Sequence, residues 1–288
     1  MTSSTRFFGS QFDLSEQVQT HLFVISPNNS GSTFLKNVLA TSRHTWNLAR
    51  EGQHTKGFQG PSSRSERLPL LWAARPEWIE RFTDTTKFNW SKTRDYWYFQ
   101  SVAHDSNATV FVEKSPPFLL NVEQLSENFR DARFLFLLRN PYAVAEGILR
   151  RCRKRPRDWF EQLHPVTATA CHVARCMQKQ KENIELFENQ GTFFTYEQMC
   201  EQTDDVQRKI QKLVPQLDDL QLNQQISVKG MYDEPLRNMN GQQISRLTAD
   251  EFQLINQVFD EHQELLSSFG YERQDSSQST DSNLAAAG

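Results

Sequence analysis

A loop rich in Ser, Thr and Gly, residues 26–35 (SPNNSGSTFL), directly follows an apolar run at residues 21–26. A strand that enters such a loop and then a helix can bind an anion, because free backbone N–H groups and the positive helix end point at the ligand. The hydroxyl groups of Ser30, Ser32 and Thr33 add further donors. The same residues would also suit a simple helix N-cap. Taken alone, the loop indicates anion binding and ordinary capping about equally.

The loop differs from two common nucleotide-binding motifs. A Walker A loop has the pattern G-x-x-x-x-G-K-[ST], and here Ser32 stands in the place of its lysine. An NTPase uses that lysine against the β- and γ-phosphates, so ATP chemistry is disfavoured, and a P-loop small-molecule kinase is kept only as an alternative. The G-x-G-x-x-G pattern of dinucleotide sites is absent as well.

Charged residues follow two further apolar runs. Glu113 and Lys114 (EKSPP) come after residues 109–112, and Arg139 (LRNP) comes after residues 133–138. An arginine at the end of a strand can bind a phosphate with both arms of its guanidinium group. A surface salt bridge before a turn, or an arginine that caps the sheet edge, would produce the same patterns.

The apolar runs are typical of buried parallel strands, because they are nearly continuous rather than alternating. Helical stretches separate them, which predicts one α/β domain with a doubly wound, P-loop NTPase-like parallel sheet flanked by helices. Ligands of such sheets bind at the carboxyl ends of the strands, where the charged residues fall. The predicted strands are residues 21–26, 109–112, 133–138 and 192–195, and the predicted helices are residues 32–40, 141–151, 166–188 and 248–268.

The predicted domain covers residues 21–272, after an N-terminal segment at residues 1–20. Residues 273–288 have almost nothing to bury and are predicted to form a disordered tail. Residues 52–67 are rich in Gly, Ser and Gln, so they are predicted to form a long surface loop, and long loops beside a site are often functional.

Composition narrows the functional class. The chain has 288 residues, of which 37% are hydrophobic and 23% charged, as expected of a globular enzyme. Its net charge of -3 argues against a general nucleic-acid-binding protein. The first ten residues lack the apolar core of a secretion signal, and no apolar run approaches eighteen residues. We therefore expect a cytoplasmic protein that binds neither nucleic acid nor membrane.

The cysteines do not predict a disulfide framework or a zinc site. There are four, too few for a disulfide scaffold, and only one pair is closely spaced. We expect reduced thiols and no metal. The cysteines are Cys152, Cys171, Cys176 and Cys200.

The order of the three strand-end motifs resembles that of the PAPS-dependent sulfotransferase superfamily, where PAPS is 3′-phosphoadenosine 5′-phosphosulfate. The S-G-S-T-F-L loop, the E-K-S-P turn and the L-L-R-N-P turn resemble its nucleotide-site elements, and residues 194–197 (FTYE) and 269–271 (FGY) resemble two later ones. The resemblance covers about residues 21–272 and is closer to the carbohydrate and bacterial branches than to the cytosolic aryl branch. It implies transfer of a sulfuryl group from PAPS to a hydroxyl or amine of a small molecule or glycan.

The resemblance also implies residue roles. The loop would hold the 5′-phosphosulfate, Arg139 would hold the 3′-phosphate, and Lys114 matches a lysine beside the transferring group in glycan sulfotransferases. Neither a metal nor a covalent enzyme intermediate is implied. The predicted donor-binding residues are Asn29, Ser30, Gly31, Ser32, Thr33, Arg139, Gly147, Lys229 and Gly230.

Three positions depart from the family pattern. Asn28 and Asn29 stand where the family usually has Lys or Arg, so Lys114 is expected to carry more of the leaving-group stabilisation. Gly147 replaces a serine eight positions after Arg139, so helix-end amides or a neighbouring side chain would have to supply the missing contact. These departures keep open a second alternative, a nucleotide-binding protein that has lost catalysis.

Three residues after the first helix are candidates for the general base, which must take the acceptor's proton: Glu51, His54 and His44. The resemblance favours Glu51, because a glutamate about this far beyond the loop is the base in glycan and tyrosyl-protein sulfotransferases. Partial desolvation would raise its pKa toward the working pH. A solvated loop carboxylate and a surface histidine are the simpler interpretations of Glu51 and His54.

A run at residues 150–157 (RRCRKRPR) contains six basic side chains in a chain that is acidic overall. Such a run is usually a solvated face, but it would also suit an anionic acceptor such as a uronate-bearing or sulfated glycan.

Overall fold

The computed structural model describes residues 6–63, 70–152, 164–226 and 236–276. Lys229 and Gly230 lie outside the described residues, as do residues 153–157 of the basic run and residues 277–288 of the predicted tail.

A seven-stranded sheet forms the centre of the domain, in the order β1-β4-β3-β5-β2-β6-β7. The five strands from β3 to β7 in this order are parallel, and β4 and β1 extend one edge in antiparallel pairing. The predicted fold class is confirmed, and the four predicted strands agree with β2, β5, β6 and β7 within one residue at each end. The strands are β1 (Phe7–Phe8), β2 (Thr20–Ile25), β3 (Thr45–Asn47), β4 (Val102–Ala103), β5 (Val110–Glu113), β6 (Ala132–Leu138) and β7 (Gly191–Thr195).

The central strand β2 shows why these runs are continuously apolar. All six of its residues are buried. Leu22 and Val24 pack into one hydrophobic core, and Phe23 and Ile25 pack into the other, because successive side chains of a strand point to opposite faces. A strand covered on both faces needs apolar residues at nearly every position.

Helices cover both faces of the sheet. The predicted terminal helix at residues 248–268 is divided by a short 3-10 turn, Asp260–His262. Within the described part of the chain, no helix is both long and apolar enough to cross a membrane. The helices are α1 (Leu14–Gln17), α2 (Ser32–Leu39), α3 (Pro76–Thr83), α4 (Trp90–Gln100), α5 (Val122–Asn128), α6 (Pro141–Cys152), α7 (Pro165–Leu186), α8 (Tyr196–Glu201), α9 (Thr203–Leu213), α10 (Asn240–Ile244), α11 (Ala249–Phe259) and α12 (Gln263–Ser268).

Both ends of the described chain pack against the domain. Phe8 pairs with Val102 at the edge of the sheet. Near the other end, the Gln274 N–H group donates to Tyr142 Oη at 3.0 Å, and the Gln274 carbonyl accepts from Asn256 Nδ2 at 3.0 Å. The folded unit therefore includes residues from the predicted N-terminal segment and from the start of the predicted tail.

The structure describes the predicted surface loop as far as residue 63. Most of this segment is irregular, as predicted, but several of its residues are buried instead of lying on the surface. Gly52, Gln53 and Ser63 are buried. The Gly52 N–H group donates to the Glu113 carboxylate at 2.7 Å, and the Ser63 N–H group donates to Gln53 Oε1 at 2.9 Å. These internal acceptors satisfy a polar segment that composition alone assigns to the surface.

Candidate active site

The loop between β2 and α2 has a backbone that few residues can adopt. Gly31, directly before α2, has φ +85°, and Asn29 has φ +62°. A Cβ atom on Gly31 would lie 2.7 Å from Cδ2 of the Tyr196 ring, closer than a real contact permits. Both the backbone angle and the close approach of Tyr196 therefore require glycine at this position.

Four polar atoms around this loop are buried and have no hydrogen-bond partner among the described residues: Ser26 Oγ, Asn29 Nδ2, Ser30 Oγ and Arg139 Nη2. Arg139 Nη1 donates to the Asn29 carbonyl at 3.0 Å, so the loop and the arginine lie side by side. Buried donors in folded proteins nearly always have partners. A cluster of free donors beside a helix N-terminus fits an anionic group.

The other predicted loop residues continue into α2. Ser32 is buried and begins the helix, and Thr33 is half-buried. Gly147 lies on α6 against the Asn29 side chain, since a Cβ atom built on it would meet Asn29 Cγ at 3.1 Å. The structure thus brings together all the predicted donor-binding residues that it describes.

Arg139 is held by Asn240, which the sequence did not identify, and by Tyr196 of the FTYE motif. Its Nε donates to Asn240 Oδ1 at 2.7 Å, and its guanidinium carbon lies 4.1 Å from the centre of the Tyr196 ring. Burial lowers the pKa of Arg139, while the negative charge of Glu197 acts against that shift. Arginine nonetheless stays protonated in proteins. The packing therefore fixes a cation with one free arm at the end of β6.

Glu197 links the elements around Arg139. Its Oε1 accepts from the Asn140 N–H group at 2.9 Å and from Asn240 Nδ2 at 2.5 Å. Its Oε2 accepts from Tyr271 Oη at 3.0 Å. Two short motifs, FTYE and FGY, therefore meet here, although neither suggests the other from its spacing.

Lys114 and Glu51 form an ion pair, with Lys114 Nζ 2.5 Å from Glu51 Oε1. Burial raises the pKa of Glu51, but the charge and hydrogen bond of Lys114, with a bond from Gln53, outweigh it and lower the pKa overall. The expectation of a raised Glu51 pKa is therefore wrong. Burial alone would raise the pKa of Glu51, but the neighbouring ammonium group of Lys114 reverses the shift.

The two histidine candidates lie at opposite ends of the parallel strands, because His44 precedes β3 and His54 follows it. His54 is near the ion pair, with Nδ1 3.5 Å from Glu51 Oε2 and Nε2 3.3 Å from Ser63 Oγ. His44 precedes β3, at the amino ends of the parallel strands, and its Nε2 lies 3.0 Å from Asp218 Oδ1. His44 is therefore not part of the site, since β3 separates it from Glu51.

Glu113 and Lys36 belong to the same group of charges. The sequence placed Glu113 at a strand end without assigning it a role, and it did not single out Lys36. Glu113 is fully buried, accepts from Ser115 Oγ at 2.6 Å and from the Gly52 N–H group, and burial raises its pKa to about 7. Lys36 Nζ donates to the Leu48 carbonyl; burial and the charge of Lys114 lower its pKa to about 8. Lys36 lies one turn after Ser32, so helical spacing could have indicated it.

The sequence matches the family model described as "Sulfotransferase family" over residues 21–215. None of the curated proteins matches it. The fold is similar to the sulfotransferase domain from the curacin biosynthetic pathway, with TM-score 0.51 and 18% identity over 90% of this chain and 100% of that domain. A sulfotransferase from Mycobacterium avium gives TM-score 0.48 and 17% identity over 91% of this chain and 80% of its own. Since the family model spans more than half of the sequence, the chain belongs to the sulfotransferase family.

Proposed function

We propose that this sulfotransferase takes its sulfuryl group from PAPS and transfers it to a hydroxyl or amine of a small molecule or glycan. Family membership supports the reaction. The observation that carries the choice of donor is the set of buried, unpartnered donors on Ser26, Asn29, Ser30 and Arg139. Loop donors and a fixed guanidinium together suit a ligand with two separate anionic groups, as PAPS has.

In this proposal the loop donors and Arg139 each bind a different anionic group of the nucleotide. The backbone and hydroxyl donors of the loop from Ser30 to Thr33 hold the 5′-phosphosulfate. Arg139, kept in place by Asn240, holds the 3′-phosphate. Lys229 and Gly230 stay a prediction for the same phosphate.

PAPS supplies the sulfuryl group, which passes in line to the acceptor oxygen or nitrogen as its bond to the phosphate oxygen breaks. Glu51 takes the acceptor's proton, and Lys114 stabilises the negative charge that develops on the phosphate side. The lowered pKa keeps Glu51 ionised at neutral pH. When a second anion draws on the charge of Lys114, the pKa of Glu51 rises and its carboxylate becomes a stronger base.

A second assignment of the base uses the same residues. Because His54 Nδ1 lies 3.5 Å from Glu51 Oε2, Glu51 could orient the imidazole while His54 takes the proton. Both assignments give the same reaction and differ in which side chain is indispensable.

The acceptor is proposed to be anionic. The run of basic residues begins with Arg150 and Arg151, which are exposed at the end of α6. Partial burial and Arg150 lower the pKa of Arg151, while the charge of Glu51 acts against that shift, so Arg151 lies within electrostatic reach of the ion pair. A negatively charged acceptor would be attracted to this side of the site.

Calorimetric titration with PAPS, 3′-phosphoadenosine 5′-phosphate (PAP), ATP and ADP tests the donor. We expect PAP and PAPS to bind at least tenfold more tightly than ADP, since only they carry the 3′-phosphate. ATP or ADP binding as tightly as PAP would refute the proposal. A transfer assay with PAPS labelled in the sulfuryl group, over neutral and anionic acceptors, then distinguishes an active enzyme from a binding protein.

A further inference from the structure

Asn29 contacts both Arg139 and the helix α6 that follows it. Its φ of +62° is a left-handed conformation, which asparagine adopts more readily than most other residues. Its carbonyl accepts from Arg139 Nη1 at 3.0 Å. Its side chain lies against α6, the helix that follows Arg139. The residue therefore bridges the loop and the arginine.

Gly147 is the point on α6 that the Asn29 side chain touches. A Cβ atom on Gly147 would lie 3.1 Å from Asn29 Cγ, 3.2 Å from its Cβ and 3.3 Å from its Nδ2. These distances are shorter than ordinary carbon contacts of about 3.5–4.0 Å. A side chain at residue 147 would therefore crowd the Asn29 carboxamide, which would have to shift by a few tenths of an ångström.

The Asn29 amide nitrogen is buried and has no hydrogen-bond partner among the described residues, and the same is true of Arg139 Nη2. One donor comes from the loop and the other from the end of β6, and the bond from Arg139 to the Asn29 carbonyl holds the two residues together. A buried amide N–H group normally has an acceptor. A phosphate oxygen in contact with Arg139 would be such an acceptor.

We infer that Asn29 is a specificity residue for the 3′-phosphate, an inference that rests on the proposed use of PAPS. Its amide donates to the phosphate beside Arg139, and Gly147 leaves the carboxamide the space that it occupies. The departures from the family pattern at Asn29 and Gly147 are then one change, in which a donor on the loop replaces a hydroxyl on α6.

Asn29→Gly tests the donor, because glycine tolerates the positive φ and removes only the carboxamide. We expect the Kd for PAP to rise about 10- to 100-fold, the range for a hydrogen bond to a charged group. The Kd for adenosine 5′-phosphosulfate, which lacks the 3′-phosphate, should change less than about threefold. Asn29→Asp keeps the shape against Gly147 and replaces the donor with a negative charge, so it should weaken PAP binding further.

Gly147→Ser tests the contact. Alone, the new side chain crowds the Asn29 carboxamide, so PAP binding should weaken. In the Asn29→Gly background the space is free, and the serine hydroxyl supplies a donor from α6. The double variant should therefore bind PAP more tightly than either single variant, a coupling that two independent structural effects would not produce.

Unchanged PAP affinity in Asn29→Gly, equal losses for both nucleotides, or strictly additive effects in the cycle would each overturn the inference. A wild-type protein that binds neither nucleotide would remove the proposed function itself and the inference with it. If Gly147→Ser does not fold, the comparison of Asn29→Gly with Asn29→Asp still decides the question.

Discussion

Lys114 Nζ lies 2.5 Å from Glu51 Oε1, although the two residues are 63 positions apart. They meet because β3 and β5 are parallel neighbours and both residues follow the carboxyl ends of those strands. Lys114 is only 6% exposed, and Glu51 is the carboxylate that pairs with it. Removing either member of such a pair leaves the charge of the other uncompensated, so a substitution at one residue also affects the other.

Glu51→Gln tests the catalytic base, since it keeps the side-chain shape and removes basicity. Turnover should fall by roughly 10²–10⁴-fold while the affinity for PAP is retained. His54→Ala should be milder, because the imidazole is proposed to be a neighbour of the base. Steady-state kinetics with PAP titrations measure both effects, and Glu188→Gln, at an exposed position, is the matched control.

If the effects of the two variants on turnover are reversed, the second assignment, in which His54 is the base, is correct. If Glu51→Gln stays near wild-type turnover and His54→Ala is inactive, then His54 is the base. The thermal unfolding midpoint of each variant must be measured alongside, because Glu51→Gln also leaves the Lys114 ammonium group without its carboxylate.

Arg139→Lys tests recognition of the 3′-phosphate. Lysine keeps the charge but loses the fork that reaches Asn240 and the Asn29 carbonyl. PAP binding should weaken by about 1.5–3 kcal/mol, while AMP binding changes far less. Calorimetry on both nucleotides measures the difference, with Arg208→Lys on α9 as the control. Equal losses for PAP and AMP would assign Arg139 to another part of the nucleotide.

Strands with a continuous apolar pattern could be predicted from the sequence, whereas a short strand without that pattern could not. The strands β2, β5, β6 and β7 are found because strands buried on both faces are continuously apolar. Strand β3 (TWN) is three residues long and has no such pattern, yet it carries the chain to Glu51. So short a strand is defined by its neighbours, here β4 and β5, rather than by its own composition.

Site residues that directly follow a strand could be predicted from the sequence, whereas those that only the fold brings together could not. Lys114 and Arg139 could be found because each directly follows a strand. Asn240 could not, because it lies 101 positions from Arg139 and only the fold brings them together. The direction of the Glu51 pKa shift likewise depends on a distance to Lys114 that no spacing rule supplies.

Gly31→Ala separates two constraints on the loop. The variant has unfavourable backbone angles and a Cβ atom 2.7 Å from the Tyr196 ring. Gly270→Ala is the matched control, since Gly270 has φ +75° but nothing within 4 Å of its Cβ position. Gly270→Ala should cost about 1–2 kcal/mol of unfolding free energy from the backbone alone. Gly31→Ala should cost more and also weaken PAP binding; equal costs would mean that Tyr196 moves away freely.

Glu113→Gln tests the buried carboxyl group through the pH dependence of stability. Burial raises the pKa of Glu113 from 4.5 to about 7. The folded state thus holds a proton that the unfolded state releases, so this residue lowers stability as pH rises from about 4.5 to about 7. Glutamine does not titrate, so the unfolding free energy of the variant minus that of wild type should increase by about 3 kcal/mol across that window.

The difference between the two proteins is the informative quantity. His21 acts in the opposite direction, since burial lowers its pKa to about 4 and stability falls as pH drops from about 6.5 to 4. Because His21 is present in both proteins, its contribution cancels. Denaturant unfolding at several pH values measures the difference, and a value constant from pH 4.5 to 7 would contradict a raised pKa for Glu113.

The acceptor prediction concerns the basic residues Arg153, Lys154 and Arg155, which lie outside the described residues. If they attract an anionic acceptor, neutralising all three should raise its KM and flatten the dependence of KM on salt, because salt screens charges beyond about 10 Å. PAP affinity should barely change. Neutralising three exposed basic residues on α9, Arg208, Lys209 and Lys212, alters the net charge equally and is the control. If both triple variants change the acceptor kinetics alike, the effect comes from net charge. If neither changes them, residues 153–155 are a solvated face, and the acceptor is recognised by groups closer to the Glu51–Lys114 pair.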